Sequence, residues 1–305
     1  MQENIRWIAI DWGSTQLRAY AMDEHNVLMC EKISADGMAS LAPEAFEPAL
    51  VKLIEDWLPQ DPLQAPVTVI ACGMVGARQG WQEAPYLQTP CHPTSSKHII
   101  TIATQDPRMT VKVLSGVCQT SPADIMRGEE TQIAGLIRED TAASGAVCLP
   151  GTHSKWVSLH EGNIQHFTTY MTGEIFALLS EHSMLRHTVA STDWDDAAFL
   201  DGIACSIKSP QDLLSHCFRL RAQDMLHHLP AASAKSTLSG LIIGAELAGA
   251  APFWQTQTVN LIGELTLSRL YAIALESLGV TAHVFNPKTL TLYGLAQAYQ
   301  ALNKP

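Results

Sequence analysis

A chain of 305 residues is longer than one hydrophobic core usually supports, so two domains or one large α/β unit are expected. Its 47% hydrophobic and 16% charged residues are ordinary for a globular protein, and a formal net charge of −11 argues against a nucleic-acid or anionic-membrane surface, which needs clustered Lys and Arg. The chain has no signal-peptide pattern at its start and no run near the roughly 18 apolar residues of a membrane span, and its seven scattered cysteines without a CxxC read as reduced thiols of a cytoplasmic protein.

In chain order, an apolar strand ends in Asp11, a Gly-Ser-Thr turn follows, and a second alternating strand carries Arg18. A third strand is expected over 27–33 and a helix over 43–57, with Ala49, Leu50, Leu53, Ile54 and Trp57 on one face and prolines 59, 62 and 66 ending it. Residues 67–72 form a continuous apolar run entering the glycine-rich "CGMVGARQGW", the pattern of a buried parallel strand and a loop. A strand over 111–117, a domain junction at 118–123 and a helix over 125–138 come next. The layout then restarts: a strand over 146–149, a Gly-Thr turn, a strand over 156–160 and a hairpin turn at 161–163. Helices run to about Pro252, where Glu246 interrupts an apolar stretch read as a buried helix and the glycines of "GLIIGAELAG" read as close helix packing. A strand over 259–262, a turn at Gly263, a helix over 266–278, a strand over 282–285 and a helix over 292–303 close the chain.

Two hairpins with hydroxyl-glycine turns suggest a duplicated α/β domain with ligand phosphates held between the halves. Around Gly13, successive N–H groups can form an anion-binding nest, to which the Ser14 and Thr15 hydroxyls add donors. Asp11 at a strand end can hold Mg²⁺ through water, and Arg18 can reach back to phosphate bidentately. The plainer alternative is a tight hairpin whose Asp merely caps its turn. Of the histidines, Cys91-His92 and His227-His228 are adjacent pairs that diverge in a strand and make no metal site.

The stretch D-x-G-S-T-x-x-R resembles the first phosphate motif of the sugar-kinase, heat-shock-protein and actin superfamily. In the same order "RGEETQIAGLI" resembles the start of its catalytic helix and "LPGTHSKWV" its second phosphate turn. "VNLIGELTLSRLYAIALESLGV" resembles its adenosine motif, and "TLTLYGLAQAY" its final helix with a small-residue contact. Four segments together ("DWGST", "GMVG…GWQEAPY", "MRGEETQ", "PGTHSKW") resemble the 2-dehydro-3-deoxygalactonokinase family along the whole chain. The resemblance implies a two-domain actin-like ATPase (ribonuclease H-like) α/β fold with a duplicated mixed-sheet core and a central nucleotide cleft. It implies transfer of phosphate from ATP, with Mg²⁺, to the 6-hydroxyl of 2-keto-3-deoxygalactonate. Other readings within reach are a kinase of another small sugar or keto sugar acid, an exopolyphosphatase-like hydrolase, or a non-catalytic nucleotide switch.

On that resemblance, Glu129 is the expected base, and Glu130 faces Mg²⁺-bound water, although both suit a first helical turn on dipole grounds alone. Gly13, Ser14, Thr15, Arg18, Gly151 and Thr152 are expected at the phosphates, and Gly263 and Glu264 beneath the adenosine. Pro150 stands where many relatives have an acid before the second turn, which shifts the metal onto Asp11 and Glu130. Lys155 is expected to face solvent from its alternating strand, and His153 to be structural. An anionic substrate calls for a cation, with Arg78 the first candidate, Arg127 the second, and Gly73 and Met74 in the same loop region. Trp81 and Tyr86 read as packing, and Asp193, Asp195 and Asp196 as a helix start. The expected domains are 1–118 for phosphate and substrate and 119–305 for the nucleotide, with the closing helix packing back on the first. The expected partners are the sugar acid and ATP, with a homodimer an unsurprising assembly.

Overall fold

The structure is a computed structural model that describes residues 5–61, 64–93, 98–138 and 143–303, so Pro62 lies outside the described residues. The chain forms two compact units: residues 1–143, 160–166 and 287–305 make the first, and residues 144–159 and 167–286 the second. The segment 119–143 therefore groups with the first unit, whereas the sequence placed the division after residue 118; the closing helix, expected to pack back on the first domain, also belongs to that unit.

The first unit holds strands β1 (Trp7–Trp12), β2 (Leu17–Met22) and β3 (Leu28–Ser34), helix α1 (Phe46–Ile54), β4 (Val67–Gly73), β5 (Tyr86–Gln88), β6 (Ile100–Ile102), β7 (Met109–Val113), β8 (Gly116–Thr120), β9 (Ala123–Met126) and α2 (Glu129–Ile137). The expected first helix is present as α1 flanked by single 3₁₀ turns at Pro43–Ala45 and Glu55–Trp57. One mixed sheet has the order β3-β2-β1-β4-β7-β6, and a smaller sheet has the order β5-β8-β9. The expected junction at 118–123 is thus the hairpin between β8 and β9. The expected helix start at residue 125 is likewise strand, and the reason is local. Gly128 has φ +110°, which no helical residue adopts, so the helix cannot begin before Glu129.

Strand β1 is apolar apart from Asp11 because both faces of its sheet are covered. Ile8, Ile10 and Trp12 pack with Phe46, Leu50 and Ile54 of α1. Trp7 and Ala9 point the other way, toward Leu292, Leu295 and Ala298, and Trp7 stacks on Tyr299 at 4.7 Å. Those last residues belong to the closing helix, which starts five residues earlier than the hydrophobic pattern suggests. Pro287 occupies its first position, where a missing N–H costs nothing.

The second unit contains β10 (Gly145–Leu149), β11 (Ser154–His160), β12 (Asn163–Tyr170), α3 (Thr172–Ala177), α4 (Asp196–Lys208), α5 (Leu213–His227), α6 (Ala231–Gly249), α7 (Ala251–Trp254), β13 (Val259–Ile262), α8 (Leu265–Ser277) and β14 (Ala282–Phe285), and α9 (Pro287–Leu302) follows in the first unit. Its sheet order is β12-β11-β10-β13-β14. Each large sheet is therefore an antiparallel three-strand meander whose first strand also pairs in parallel with a later one, β1 with β4 and β10 with β13. The repeat seen in the sequence is a repeat of topology.

The glycines of "GLIIGAELAG" do pack helices closely: a Cβ on Gly240 would lie 2.1 Å from the Phe199 carbonyl oxygen of α4. Asp195 caps α4 by accepting the Ala198 N–H at 3.1 Å, the helix start that its acidic neighbourhood suggested. Among the described residues no helix is long and apolar enough to cross a membrane, and all seven cysteines are unpaired.

Candidate active site

In the first unit the β1–β2 turn presents Gly13, Ser14 and Thr15. Asp11 and Arg18 are directly opposed across the ladder, and Arg18 Nη1 donates to Asp11 Oδ2 at 2.9 Å. Burial pushes the Asp11 carboxyl above its ordinary range, and the guanidinium pulls it back down. Arg18 Nη2 also donates to Gln16 Oε1 at 2.7 Å, so this arginine holds the Asp11 carboxylate from behind instead of reaching past the turn. The turn's carbonyls are occupied: Met38 N–H donates to Gly13 O at 3.0 Å and Ala39 N–H to Ser14 O at 2.9 Å. Its outward side is open. Ser14 and Thr15 are exposed, and among the described residues their N–H groups and hydroxyls make no hydrogen bond.

Strand alternation puts Asp11 on the same sheet face as Trp7 and Ala9, the face on which α9 packs, and α9 in turn packs against α2. Gly73, the last residue of β4, has φ +87°, and a Cβ on Gly128 would lie 3.3 Å from its Cα. This close approach of two backbones brings the start of α2 to the ends of β1 and β4. Glu129 is partly exposed there, and its Oε2 accepts the Arg127 N–H at 3.0 Å. Glu130 has a different environment. It is 1% exposed, its Oε2 accepts the Gly128 N–H at 2.7 Å, and the Thr131 hydroxyl lies 3.1 Å from Oε1. Burial, with Glu129 adding to it, pushes its pKa up to about 8. The structure therefore places Glu130 as a largely neutral acid inside the packing of α2, away from where the sequence reading aimed it.

Of the two arginines of interest, Arg78 lies on the glycine loop after β4 and Arg127 between β9 and α2. Arg78 is exposed. Arg127 is held against the protein through Nη2, which donates to Ala84 O at 2.7 Å, and through the Tyr86 ring, whose centroid lies 4.2 Å from the guanidinium, while among the described residues its buried Nε and Nη1 have no hydrogen-bond partner. It clamps the loop that presents Arg78, and Tyr86 serves as its platform. Met74 begins the 3₁₀ turn Met74–Gly76 and is half-buried.

In the second unit the β10–β11 turn presents Gly151 and Thr152. Thr152 is exposed, and its carbonyl accepts the Glu174 N–H at 3.0 Å. Lys155 is turned inward, 6% exposed, with Nζ donating to the His153 carbonyl at 3.1 Å, in place of the solvent-facing position its strand suggested. His153 Nε2 lies 2.6 Å from Glu174 Oε2, a local pair that fits the structural role expected of it. A pocket of about 540 Å³ adjoins this turn, lined by Gly151, Gly173, Phe176, Trp194, Ile242 and Leu270 among others. That is an ordinary size for a small-molecule site. Thr266 and Leu267 at the start of α8 also line it, but Glu264 does not. Glu264 caps α8, accepting the Leu267 N–H at 2.9 Å, and such backbone donors lower its pKa. Gly263 allows contact with the strand before the turn, since its Cβ would lie 2.9 Å from Pro150 O.

Sequence reasoning missed Gly37, Gly173, Trp194 and the importance of Glu246. Glu246 is 3% exposed and accepts hydrogen bonds from Trp156 Nε1 at 2.7 Å, from the Tyr271 hydroxyl at 2.6 Å and from the Thr172 hydroxyl. The one signal for it was a lone carboxylate in an apolar helix.

The family model described as 2-keto-3-deoxy-galactonokinase matches residues 11–298. The chain is 36% identical over 97% of both sequences to a Rhizobium meliloti (strain 1021) protein provisionally named 2-dehydro-3-deoxygalactonokinase DgoK1. It is 32% identical, over 90% of both, to the 2-dehydro-3-deoxygalactonokinase of Escherichia coli (strain K12). A crystal structure of a Sinorhizobium meliloti protein, provisionally given the same enzyme name, superposes with a TM-score of 0.90 at 34% identity, covering 98% of this chain and 100% of that one. The ligand-bound xylulose kinase of Lactobacillus acidophilus, at 9% identity and a TM-score of 0.52 over 97% of this chain and 89% of its own, shares the actin-like kinase fold.

Proposed function

The chain belongs to the 2-keto-3-deoxy-galactonokinase family, and from that premise we propose how its residues divide the reaction. It is a carbohydrate kinase that transfers a phosphoryl group from ATP to 2-dehydro-3-deoxygalactonate. On this reading the acceptor is the 6-hydroxyl. The observation that best supports the assignment of roles is the contrast between the adjacent glutamates. Glu129 is accessible, whereas both Glu130 oxygens are engaged inside the protein. A general base must come within hydrogen-bond reach of the attacking hydroxyl, so Glu129 takes its proton. Glu130 holds the N–H of Gly128 and with it the bend that presents Glu129.

Phosphoryl transfer is mainly positioning and charge neutralisation. In the first unit the open N–H and hydroxyl groups of Ser14 and Thr15 are the donors assigned to phosphate oxygens, and in the second unit those of Gly151 and Thr152. The pocket beside Gly151 takes the nucleoside. Mg²⁺ would neutralise the phosphates when bound. Asp11 suits it, because among the described residues only Oδ2 has a hydrogen-bond partner, which leaves Oδ1 for a metal-bound water. Arg78, exposed on the loop that Arg127 clamps, is assigned to the substrate carboxylate. A cytoplasmic location suits a kinase with unpaired cysteines.

Coupled measurement of ADP release tests the function. ADP release that depends on 2-dehydro-3-deoxygalactonate is expected; equal release without any sugar acid would make the protein a hydrolase instead. Arg78→Ala should raise KM for the sugar acid about tenfold and leave KM for ATP alone, as loss of one charge-assisted hydrogen bond predicts. An unchanged sugar-acid KM would move carboxylate recognition elsewhere. Gly151→Ala isolates the ligand side of the second turn. A Cβ there meets nothing within 4 Å, so the thermal midpoint should stay at the parent value while KM for ATP rises. A variant that keeps the parent KM would show that nothing approaches Gly151.

A further inference from the structure

We infer that Gly37 and Gly173 are positioning residues for the two phosphate turns, one behind each, repeated by the duplicated topology. The inference rests on the proposal that these turns hold phosphate. In the first unit a Cβ on Gly37 would lie 2.3 Å from the Ser14 carbonyl oxygen and 2.4 Å from Thr15 Cα. In the second, a Cβ on Gly173 would lie 2.5 Å from the Gly151 carbonyl oxygen and 2.8 Å from Thr152 Cα. All four distances are shorter than a real Cβ contact allows, and the atoms in the way are backbone. Neither glycine has a positive φ, so space and not conformation explains both.

The two positions correspond. Each glycine stands three residues after the last residue of its meander's third strand, Ser34 in one case and Tyr170 in the other. Each is followed at once by N–H groups that hold the turn: Met38 and Ala39 donate to Gly13 O and Ser14 O, and Glu174 donates to Thr152 O. Each segment is also moored to its own core. The Trp12 indole donates to Asp36 O at 2.8 Å, and the Thr172 hydroxyl donates to the buried Glu246. The glycines within the turns behave in the opposite way. A Cβ on Gly13 meets only Gln16 O, at 3.6 Å, and one on Gly151 meets nothing within 4 Å. The fold therefore requires the glycine behind each turn and leaves the glycine in it facing open space. A methyl behind either turn pushes it into that space, where the phosphates bind.

Gly37→Ala and Gly173→Ala test this through separate Michaelis constants, ADP binding and thermal melting. Each should raise KM for ATP and the Kd for ADP, with kcat/KM for ATP falling about 10²-fold, the scale of a displacement near 1 Å, while KM for the sugar acid stays unchanged. A merely structural role would lower the melting midpoint and the active fraction and leave both Michaelis constants and the ADP Kd at parent values, which would overturn the inference. If a variant does not fold, hydrogen exchange on the wild-type protein decides: ADP should slow the amides of Met38, Ala39 and Glu174, and unchanged exchange under saturating ADP would overturn it. Failure of the underlying reading looks different, because the wild-type protein itself would then neither bind ADP nor release it in response to sugar acid.

Discussion

Glu129→Gln is expected to lower kcat by about 10²–10⁴-fold, the usual contribution of a positioned general base, while ADP affinity stays at the parent value. The substitution is conservative where it needs to be. Glu129 Oε2 accepts the Arg127 N–H, and a glutamine oxygen can accept the same bond, so that tie to the start of α2 survives the loss of the proton acceptor. Steady-state turnover together with calorimetric ADP binding separates the two effects. A near-parent kcat would remove Glu129 as the base. The result also bears on Glu130, whose buried carboxyl holds the Gly128 N–H and lies next in the chain. If Glu129→Gln is active, the proton acceptor is neither of these glutamates, because Glu130 is closed to substrate.

Gly294→Ala should destabilise the protein by about 3 kcal/mol, the upper part of the usual range for overpacking, and lower the melting midpoint by about 6–10 °C. A Cβ on Gly294 of α9 would stand 2.0 Å from the carbonyl oxygen of Thr131 in α2. The contact is reciprocal, since a Cβ on Gly135 of α2 would stand 2.0 Å from Leu290 O of α9. No side-chain rotation relieves a clash with a helical carbonyl, so the two helices must separate along their length. Thr131 lies in the first turn of α2, so the separation would also shift Glu129, and kcat should fall in the fraction that remains folded. An unchanged midpoint in thermal melts would show that α2 and α9 are not held as close as these glycines allow.

The substitutions also mark which parts of the molecule could be read locally. Strands β1, β4 and β10 were legible because strands buried on both faces read as apolar runs, and the two hydroxyl-glycine turns because few other sequences end such strands. The small-residue contact of the closing helix was also legible, although its partner was not: Gly294 announces a close approach, and nothing in the sequence says to Thr131. The segment 118–128 was misread because Ile125 and Met126 continue an apolar pattern that suits either a strand or a helix. The β8–β9 pairing and the φ of Gly128 settle it as strand.

The sequence by itself determined the family, the α/β class, the two hydroxyl-glycine turns and the glutamate pair, because each is written in neighbouring residues whose spacing is the signal. The tertiary structure decided what depends on residues far apart in the chain. It separated Glu129 from Glu130, since burial is set by α2 and its surroundings and not by adjacent identical side chains. It made Arg127 a clamp and left Arg78 exposed, through Ala84 and Tyr86 some 40 residues away. It also put Gly37 and Gly173 behind the turns, where a missing methyl group matters only because another stretch of backbone occupies its place.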